Sequence, residues 1–149
     1  MRFSYKLSDA IHILTYIDIF QGNDLSSQAI AASIGSNASV VRNLMRDLRV
    51  AGLLVTKQGA AAPILAKSPE DISLYDVYIA INMVHTLLHI DPKTNPNCLV
   101  GSRIQDTLNN FYTEVEVAAY EKMRHISLAD VTQHLSLIHI SEPTRPEPS

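Results

Sequence analysis

The chain has 149 residues, 46% of them hydrophobic and 18% charged, with a formal net charge of −3, which predicts one domain with an accessory element. No run of about 18 apolar residues occurs and the N-terminus has no apolar signal-peptide core, so neither a membrane span nor a secretion signal is expected. The single cysteine, Cys98, excludes an internal disulfide and favours a cytoplasmic location.

Two helices are predicted at the start of the chain. The first covers about residues 4–21, and the second runs from a cap at Ser26 or Ser27 to Ile34. Gly35 follows, where a helix end favours a residue that can adopt a positive φ. The apolar residues of the first helix recur at helical spacing: Leu7, Ala10, Ile11, Leu14 and Ile17.

The third predicted helix is basic and is followed by a hairpin. Asn37 or Ser39 can cap this helix, and the segment 53–65 predicts a strand, a glycine-containing turn and a second strand. This order of elements is typical of a winged helix-turn-helix, in which the third helix, the recognition helix, enters the major groove of DNA. The polar positions of the recognition helix include Arg42, Arg46 and Arg49.

A hexapeptide pattern occurs twice in the second half of the chain. Ile72–Val77 contains an S-x-x-D capping box formed by Ser73 and Asp76, so a helix should start there and continue to about residues 85–88. The same pattern recurs at Ile126–Val131, where Ser127 should cap a short final helix. We interpret the recurrence as reuse of a helix start signal and not as a domain repeat.

A long helix is predicted after the loop Asp91–Asn97. Its apolar residues follow a nearly heptad spacing, which is typical of a helix that packs against a second copy of itself. The alternative is a helix that packs on its own domain. The apolar seam consists of Val100, Ile104, Leu108, Phe111, Val115 and Ala118.

Charge and composition divide the chain further. Residues 1–67 hold seven Lys/Arg against four Asp, a net +3, whereas residues 68–149 hold five Lys/Arg against eleven Asp/Glu, a net −6. This asymmetry favours contact between the first part and phosphate, although ordinary surface scatter is an alternative. Residues 136–149 have three prolines near the end and no helical period, so we expect a non-native or disordered tail.

These segments together resemble the Rrf2-type bacterial transcription regulators, and the match covers nearly all of residues 1–135. The fold class expected is mainly α with a small β-wing, organised as a winged helix-turn-helix at 1–67, a linking helix and effector-type loop at 68–97, and a long dimerisation helix with a short final helix at 98–135. The matching segments are Ala10-Ile-His-Ile-Leu14, Ile30-Ala31, Ile34-Gly35, Val41-Arg-Asn-Leu-Met-Arg-Asp-Leu48, Ala51-Gly-Leu-Leu54, Gly59, Leu65-Ala66, Pro69, Ile72-Ser-Leu-Tyr-Asp-Val77, Ala80 and Cys98-Leu-Val-Gly-Ser-Arg-Ile104.

The resemblance implies a homodimer that binds double-stranded DNA at a promoter, usually as a repressor, and is not an enzyme. It implies a dimer interface that includes Ile104, Leu108, Phe111 and Val115. Arg can bind guanine and Asn can bind adenine with two hydrogen bonds, which suits the start of a recognition helix. The residues implied to contact DNA are Asn37, Ser39, Val40, Arg42, Asn43, Arg46, Lys57 and Gln58.

Two departures from the family pattern alter the expectation. Relatives often have Arg before the wing glycine, where this chain has Gln58, so reading of the minor groove is less expected and Lys57 would contact phosphate. Relatives that bind an iron–sulfur cluster have three cysteines before the long helix, of which only Cys98 remains, and a histidine ligand where Gly101 stands. We therefore expect no cofactor and a place in the cluster-free branch of the family.

The loop offers one candidate site for redox or effector sensing, formed by Cys98, His85 and His89. Cys98 at the start of the long helix could be a reactive thiol, or a small residue packed at the interface. His85 and His89 could share a helix face and join Cys98 at a metal, although solvated histidines are the favoured interpretation and no metal is predicted. The alternative function is a protein-interaction module that has lost specific DNA binding.

Overall fold

The computed structural model describes residues 4–56, 62–81 and 87–141, with side chains up to Leu135. Within these ranges the chain is mainly helical with one two-stranded sheet, which confirms the predicted fold class. The elements in chain order are α1 Lys6–Ile19, α2 Ser27–Ile34, α3 Ala38–Val50, β1 Leu54–Thr56, β2 Pro63–Leu65, a 3₁₀ turn Pro69–Asp71, α4 Leu74–Ala80, α5 Ile104–Arg124 and α6 Leu128–Ser141.

Helix α2 begins and ends at the residues that local chemistry favours. Ser26 caps α2 by accepting a hydrogen bond from the Ala29 backbone N–H at 3.1 Å. Gly35 then adopts a φ of 81°, and its N–H and that of Ser36 both bond to the Ala31 carbonyl at 2.9 Å. This left-handed residue turns the chain sharply enough for α3 to begin only three residues after Gly35.

One hydrophobic core holds these helices together. The apolar face of α3 is buried against α1, α2 and α4, and the polar face remains outside. This packing fixes the direction in which α3 presents its polar side chains. The largest fully buried side chains are Ile13, Leu14, Ile17, Ile30, Leu48, Leu54, Ile72, Ile81, Leu128, Val41 and Val77.

The wing, defined here as the hairpin β1–β2, returns along the end of α3. The N–H of Leu53 bonds to the carbonyl of Leu48 at 2.9 Å, and Gly52 supplies the positive φ of 81° that this turn needs. The strands are antiparallel, with Leu54 opposite Leu65 and Thr56 opposite Pro63. The predicted strand, turn and strand are therefore confirmed at both strands, and the turn lies outside the described residues.

The two hexapeptides contact each other. Both capping boxes form, one between Ser73 and Asp76 and one between Ser127 and Asp130. The N–H of Leu74 also donates to the Ile126 carbonyl at 2.8 Å, and the N–H of Leu128 donates to the Ile72 carbonyl at 2.7 Å. The recurrence is thus more than a reused start signal, because the two helix starts form a reciprocal backbone bridge.

The observed boundaries of four helices differ from the predicted ones. Helix α1 is shorter than residues 4–21, and α4 ends at Ala80 in the described part of the chain; Leu88 and His89 lie in no helix. Helix α5 begins at Ile104, so the start of the predicted seam at Val100 precedes the helix. Helix α6 continues to Ser141 because neither glycine nor proline interrupts the chain before Pro143.

Candidate nucleic-acid interface

The exposed face of α3 collects most of the residues predicted to contact DNA. Val41, Leu44 and Leu48 point into the core, so the opposite side of the helix faces solvent. The only acidic residue of α3, Asp47, is half-buried, and the exposed charges on this helix are all positive. The exposed residues on this face are Ser39, Val40, Arg42, Asn43, Arg46, Arg49 and Val50.

Two arginines on this face have no protein partner. Arg42 and Arg46 are exposed and make no hydrogen bond or ion pair within the described part of the chain. Within the described residues, Glu121 forms ion pairs with Arg124 and His125, at the C-terminal end of α5. Because these guanidinium groups are not neutralised by carboxylates, they are available to an anionic ligand such as nucleic-acid phosphate or a base edge.

Asn37 has a structural role at this face. Its side-chain Oδ1 accepts a hydrogen bond from the Val40 N–H at 3.0 Å, so Asn37 is the N-cap of α3. Of the two predicted caps, Asn37 and Ser39, the structure therefore supports Asn37. The amide NH₂ of Asn37 remains available to donate. Ser39 and Val40 lie in the first turn of the helix, beside this cap. Lys57 and Gln58 fall outside the described residues.

Arg49 makes a contact that sequence reasoning missed. Its Nε donates to Oγ1 of Thr56 at 3.2 Å, and both side chains are exposed. The sequence identifies Arg49 only as a polar position of the recognition helix, and the structure shows that its partner is a hydroxyl at the base of the wing. The sequence shows an arginine near the end of a helix and a threonine in the next strand. Their contact depends on the fold, which brings Arg49 and Thr56 together.

Cys98 lies in a turn and not at the start of α5 as predicted. Its N–H donates to the Asn95 carbonyl at 3.2 Å, and its carbonyl accepts from the Ser102 N–H at 2.8 Å. The thiol is exposed. Backbone N–H groups of Gly101 and Val100 face the sulfur and lower the pKa of the Cys98 thiol, because they stabilise the thiolate.

The loop around Cys98 is closely packed at Gly101. A Cβ at Gly101 would clash with the Asn95 carbonyl oxygen, so a side chain at this position would require a backbone shift. Thr94 Oγ1 also donates to the Gly101 carbonyl at 2.6 Å and holds the two parts of the loop together. In the ranges the structure covers, no three or more His, Cys, Asp or Glu side chains come close enough to hold a metal ion.

The predicted pairing of two histidines on one helix face is not supported at His89. His89 follows the end of α4 and lies outside any helix, while His85 falls outside the described residues. The helical i, i+4 geometry that motivated the pairing therefore does not extend to His89.

Helix α5 exposes part of the predicted apolar seam in the protomer and buries a carboxylate. Ile104 and Leu108 are half-buried, whereas Phe111 and Val115 are 59% and 54% exposed in the protomer. Glu116 is the residue of this helix that is buried. Its carboxylate accepts a hydrogen bond from the Leu88 N–H at 3.1 Å, so it anchors the segment that precedes the loop.

The side of α5 opposite Phe111 packs on α4 through tyrosines. The rings of Tyr75, Tyr78 and Tyr120 lie 5.4–6.4 Å apart, and the Tyr78 and Tyr120 hydroxyls are 3.4 Å apart. Burial, followed by the hydrogen bond with Tyr120, raises the pKa of Tyr78 above its ordinary value. Arg124 lies over the Tyr75 ring at 4.1 Å. This contact positions α5 against the helix-turn-helix domain.

A winged helix-turn-helix with a basic, unpaired recognition face defines a DNA-binding transcription regulator. The family model described as "Iron-dependent Transcriptional regulator", Rrf2, matches residues 3–134, and the chain belongs to this family. Its members are transcription regulators and not enzymes, which confirms that expectation.

Known proteins are similar to this chain in sequence and in fold. YwnA of Bacillus subtilis strain 168, described as an HTH-type transcriptional regulator, is 36% identical over 130 residues, which are 87% of this chain and 96% of YwnA. A crystal structure described as a DNA binding protein is 35% identical, with a TM-score of 0.67 over 85% of this chain and 97% of its own. T. potens IscR shares the fold at 22% identity, with a TM-score of 0.66 over 91% and 88% of the two chains.

No helix in the ranges 4–56, 62–81 and 87–141 is long and apolar enough to cross a membrane.

Proposed function

We infer that this regulator acts as a homodimeric repressor on a palindromic operator and that it carries no iron–sulfur cluster. The observation that carries this inference is the exposed face of α3, on which Arg42 and Arg46 have no partner among the described residues. The predicted contact residues on the described part of that face are Asn37, Ser39, Val40, Arg42, Asn43 and Arg46. Lys57 and Gln58 remain predicted wing contacts.

Reading of base edges would begin at the N-terminal half of α3. Arg42 can donate two hydrogen bonds to guanine, and Asn43 can pair in the same way with adenine. Arg46 lies one turn further along and would contact phosphate, as would the free amide of Asn37 at the cap. Phosphate contacts position the helix and base contacts supply the sequence preference.

A homodimer is supported by the apolar surface of α5. Phe111 and Val115 are large, adjacent on the helix and more than half exposed in the protomer, while Ile104 and Leu108 continue the same stripe. Apolar side chains of this size at successive helical turns are typical of an interface between helices. Two copies joined here would present two recognition helices, and a two-fold site would bind both at once.

Regulation would then depend on the angle between the two DNA-binding ends. A signal that acts at the loop before α5, or on α5, would change the populations of two dimer arrangements. The hydrogen bond between Leu88 and Glu116 and the tyrosine contact between α4 and α5 connect that loop to the DNA-binding domain. The assignment as a repressor rests on the resemblance to the family.

The cluster-free assignment is supported by the residues of the loop. A cluster needs about four protein ligands, mostly thiolates, and this chain has one cysteine, at position 98. The position that holds a histidine ligand in relatives is Gly101, where a side chain would collide with the Asn95 carbonyl.

The test is a selection of genomic DNA fragments by the full chain at physiological salt, repeated with an Arg42→Ala, Asn43→Ala variant. We expect a palindromic site, and a loss of about 1–3 kcal/mol for each bidentate contact removed. Arg103→Ala is the matched control, because Arg103 is an exposed arginine outside α3. Recovery of random fragments only, with affinity that vanishes as salt rises, would favour the protein-interaction alternative.

A further inference from the structure

Arg49 connects the recognition helix to the wing. It lies in the last turn of α3, and Thr56 is the final residue of β1 as the structure describes it. The 3.2 Å hydrogen bond from Arg49 Nε to Thr56 Oγ1 therefore joins the end of the recognition helix to the base of the wing.

The bond between Arg49 and Thr56 lies on the exposed side of the turn that precedes β1. The opposite side of this turn packs on the core. Leu53 and Leu54 are buried beneath the turn, and the Leu53 N–H is bonded to the Leu48 carbonyl at 2.9 Å. The core thus fixes the start of β1, and Thr56 at its end is opposite the buried Pro63 of β2, a strand that packs on α1. The bond from Arg49 adds a restraint between α3 and the exposed side of the wing.

The Arg49 side chain has further donors to offer. A guanidinium carries five N–H groups, and the bond to Thr56 uses the one on Nε. No carboxylate of the described residues pairs with Arg49. Its position near the C-terminus of α3 also suits a positive charge, because the helix dipole is negative there.

We propose that Arg49 is a positioning residue for DNA binding, which orients the wing through Thr56 while its terminal NH₂ groups contact a phosphate between the recognition helix and the wing. The proposal rests on the proposed DNA-binding function. It assigns Arg49 two separable effects, one through Thr56 that is independent of salt and one through its charge that depends on salt.

The experiment measures affinity of the full chain for its selected duplex over a range of salt concentrations. Thr56→Val should weaken binding about 2- to 10-fold, as expected for one lost hydrogen bond, with the salt slope unchanged. Arg49→Ala should weaken binding about 10-fold or more and reduce the slope by about 0.9 per bound subunit. Adding Thr56→Val to Arg49→Ala should have no further effect, because the acceptor has already lost its donor.

Matched variants separate the two effects. Thr56→Ser keeps the hydroxyl and should bind like the parent chain, and Arg49→Lys keeps the charge and should preserve the salt slope. Both positions are exposed, so thermal unfolding should change little in every variant. Arg49→Ala with parental affinity and slope, or additive effects of Arg49→Ala and Thr56→Val, would overturn the proposal.

Arg46→Ala distinguishes this failure from failure of the proposed function. If Arg46→Ala weakens site-specific binding and Arg49→Ala does not, only the positioning role is wrong. If the parent chain shows no preference for any duplex, the proposed function itself is wrong.

Discussion

The recognition helix α3 and the long helix α5 are both amphipathic, but they use their faces in opposite ways. Helix α3 buries Val41, Leu44 and Leu48 in the core of its own domain and exposes arginines. Helix α5 buries a carboxylate, Glu116, and exposes Phe111. Most of the large apolar side chains of α3 are buried within the protomer, while Phe111 and Val115 of α5 are more than half exposed.

This difference indicates what each helix binds. A cationic face to which no described carboxylate pairs favours an anion, and an apolar face left exposed by the described residues favours another apolar face. The first surface suits DNA and the second suits a copy of the same chain. Variants that alter α3, α5 or the loop separately can distinguish effects on DNA binding, on stability and on dimerisation.

The largest effect is expected on α5. Phe111→Glu with Val115→Glu would place two carboxylates per subunit in the proposed interface, where each must lose its hydration. We expect dimer affinity to fall by about 1,000-fold or more, equivalent to about 4 kcal/mol, as measured by sedimentation equilibrium. Val50→Glu is the control, because Val50 is 85% exposed on α3 and should leave the mass unchanged. A parental dimer in the double variant would refute the assignment.

The buried face of α3 should respond next. Leu48→Ala removes a fully buried side chain and should lower the free energy of unfolding by about 2–5 kcal/mol at every protein concentration. Leu108→Ala on α5 should lower the free energy of unfolding less at low protein concentration than at high concentration, because this side chain would contribute to the dimer interface. Denaturant titrations at two protein concentrations would show this difference, and equal concentration dependence in both variants would contradict it.

The cap of α3 separates stability from DNA binding. Asn37→Ala removes the side chain that accepts from the Val40 N–H and should lower stability by about 0.5–2 kcal/mol. Asn37→Asp keeps the cap, so stability should be retained, but its negative charge should repel phosphate and weaken DNA binding. Unchanged duplex affinity in Asn37→Asp would mean that Asn37 is a structural cap only.

The smallest effect concerns the loop. The backbone N–H groups of Val100 and Gly101 lower the pKa of the Cys98 thiol, so more thiolate exists in the folded chain than in the unfolded chain at the same pH. The pH midpoint of the alkylation rate should therefore lie below that of the same chain in denaturant. Equal midpoints in the two states would show that the turn does not stabilise the thiolate.

Local signals in the sequence predicted many features of the fold. Ser26, Asn37, Ser73 and Ser127 cap their helices as expected, because a cap depends on residues only three positions apart. The fold class followed from the order of these elements. The exposed basic face of α3 was also predictable, since helical periodicity separates Arg42 from Leu48.

Contacts between distant segments could not be predicted in this way. The hydrogen bond from the Leu88 N–H to Glu116 joins residues 28 positions apart in the sequence. The bridge between Ser73 and Ser127 likewise requires two helix starts to meet in space. The bond from Arg49 to Thr56 depends on the direction in which β1 leaves its turn.

The central claim is that two α3 faces bind DNA together because two α5 faces bind each other. A hydroxyl-radical footprint of the full chain on its selected fragment tests this most directly. We expect two protected regions related by two-fold symmetry and separated by about one helical turn or a multiple of it. The Phe111→Glu, Val115→Glu variant should lose both regions together at the same protein concentration. A single asymmetric region that persists in this variant would contradict the account.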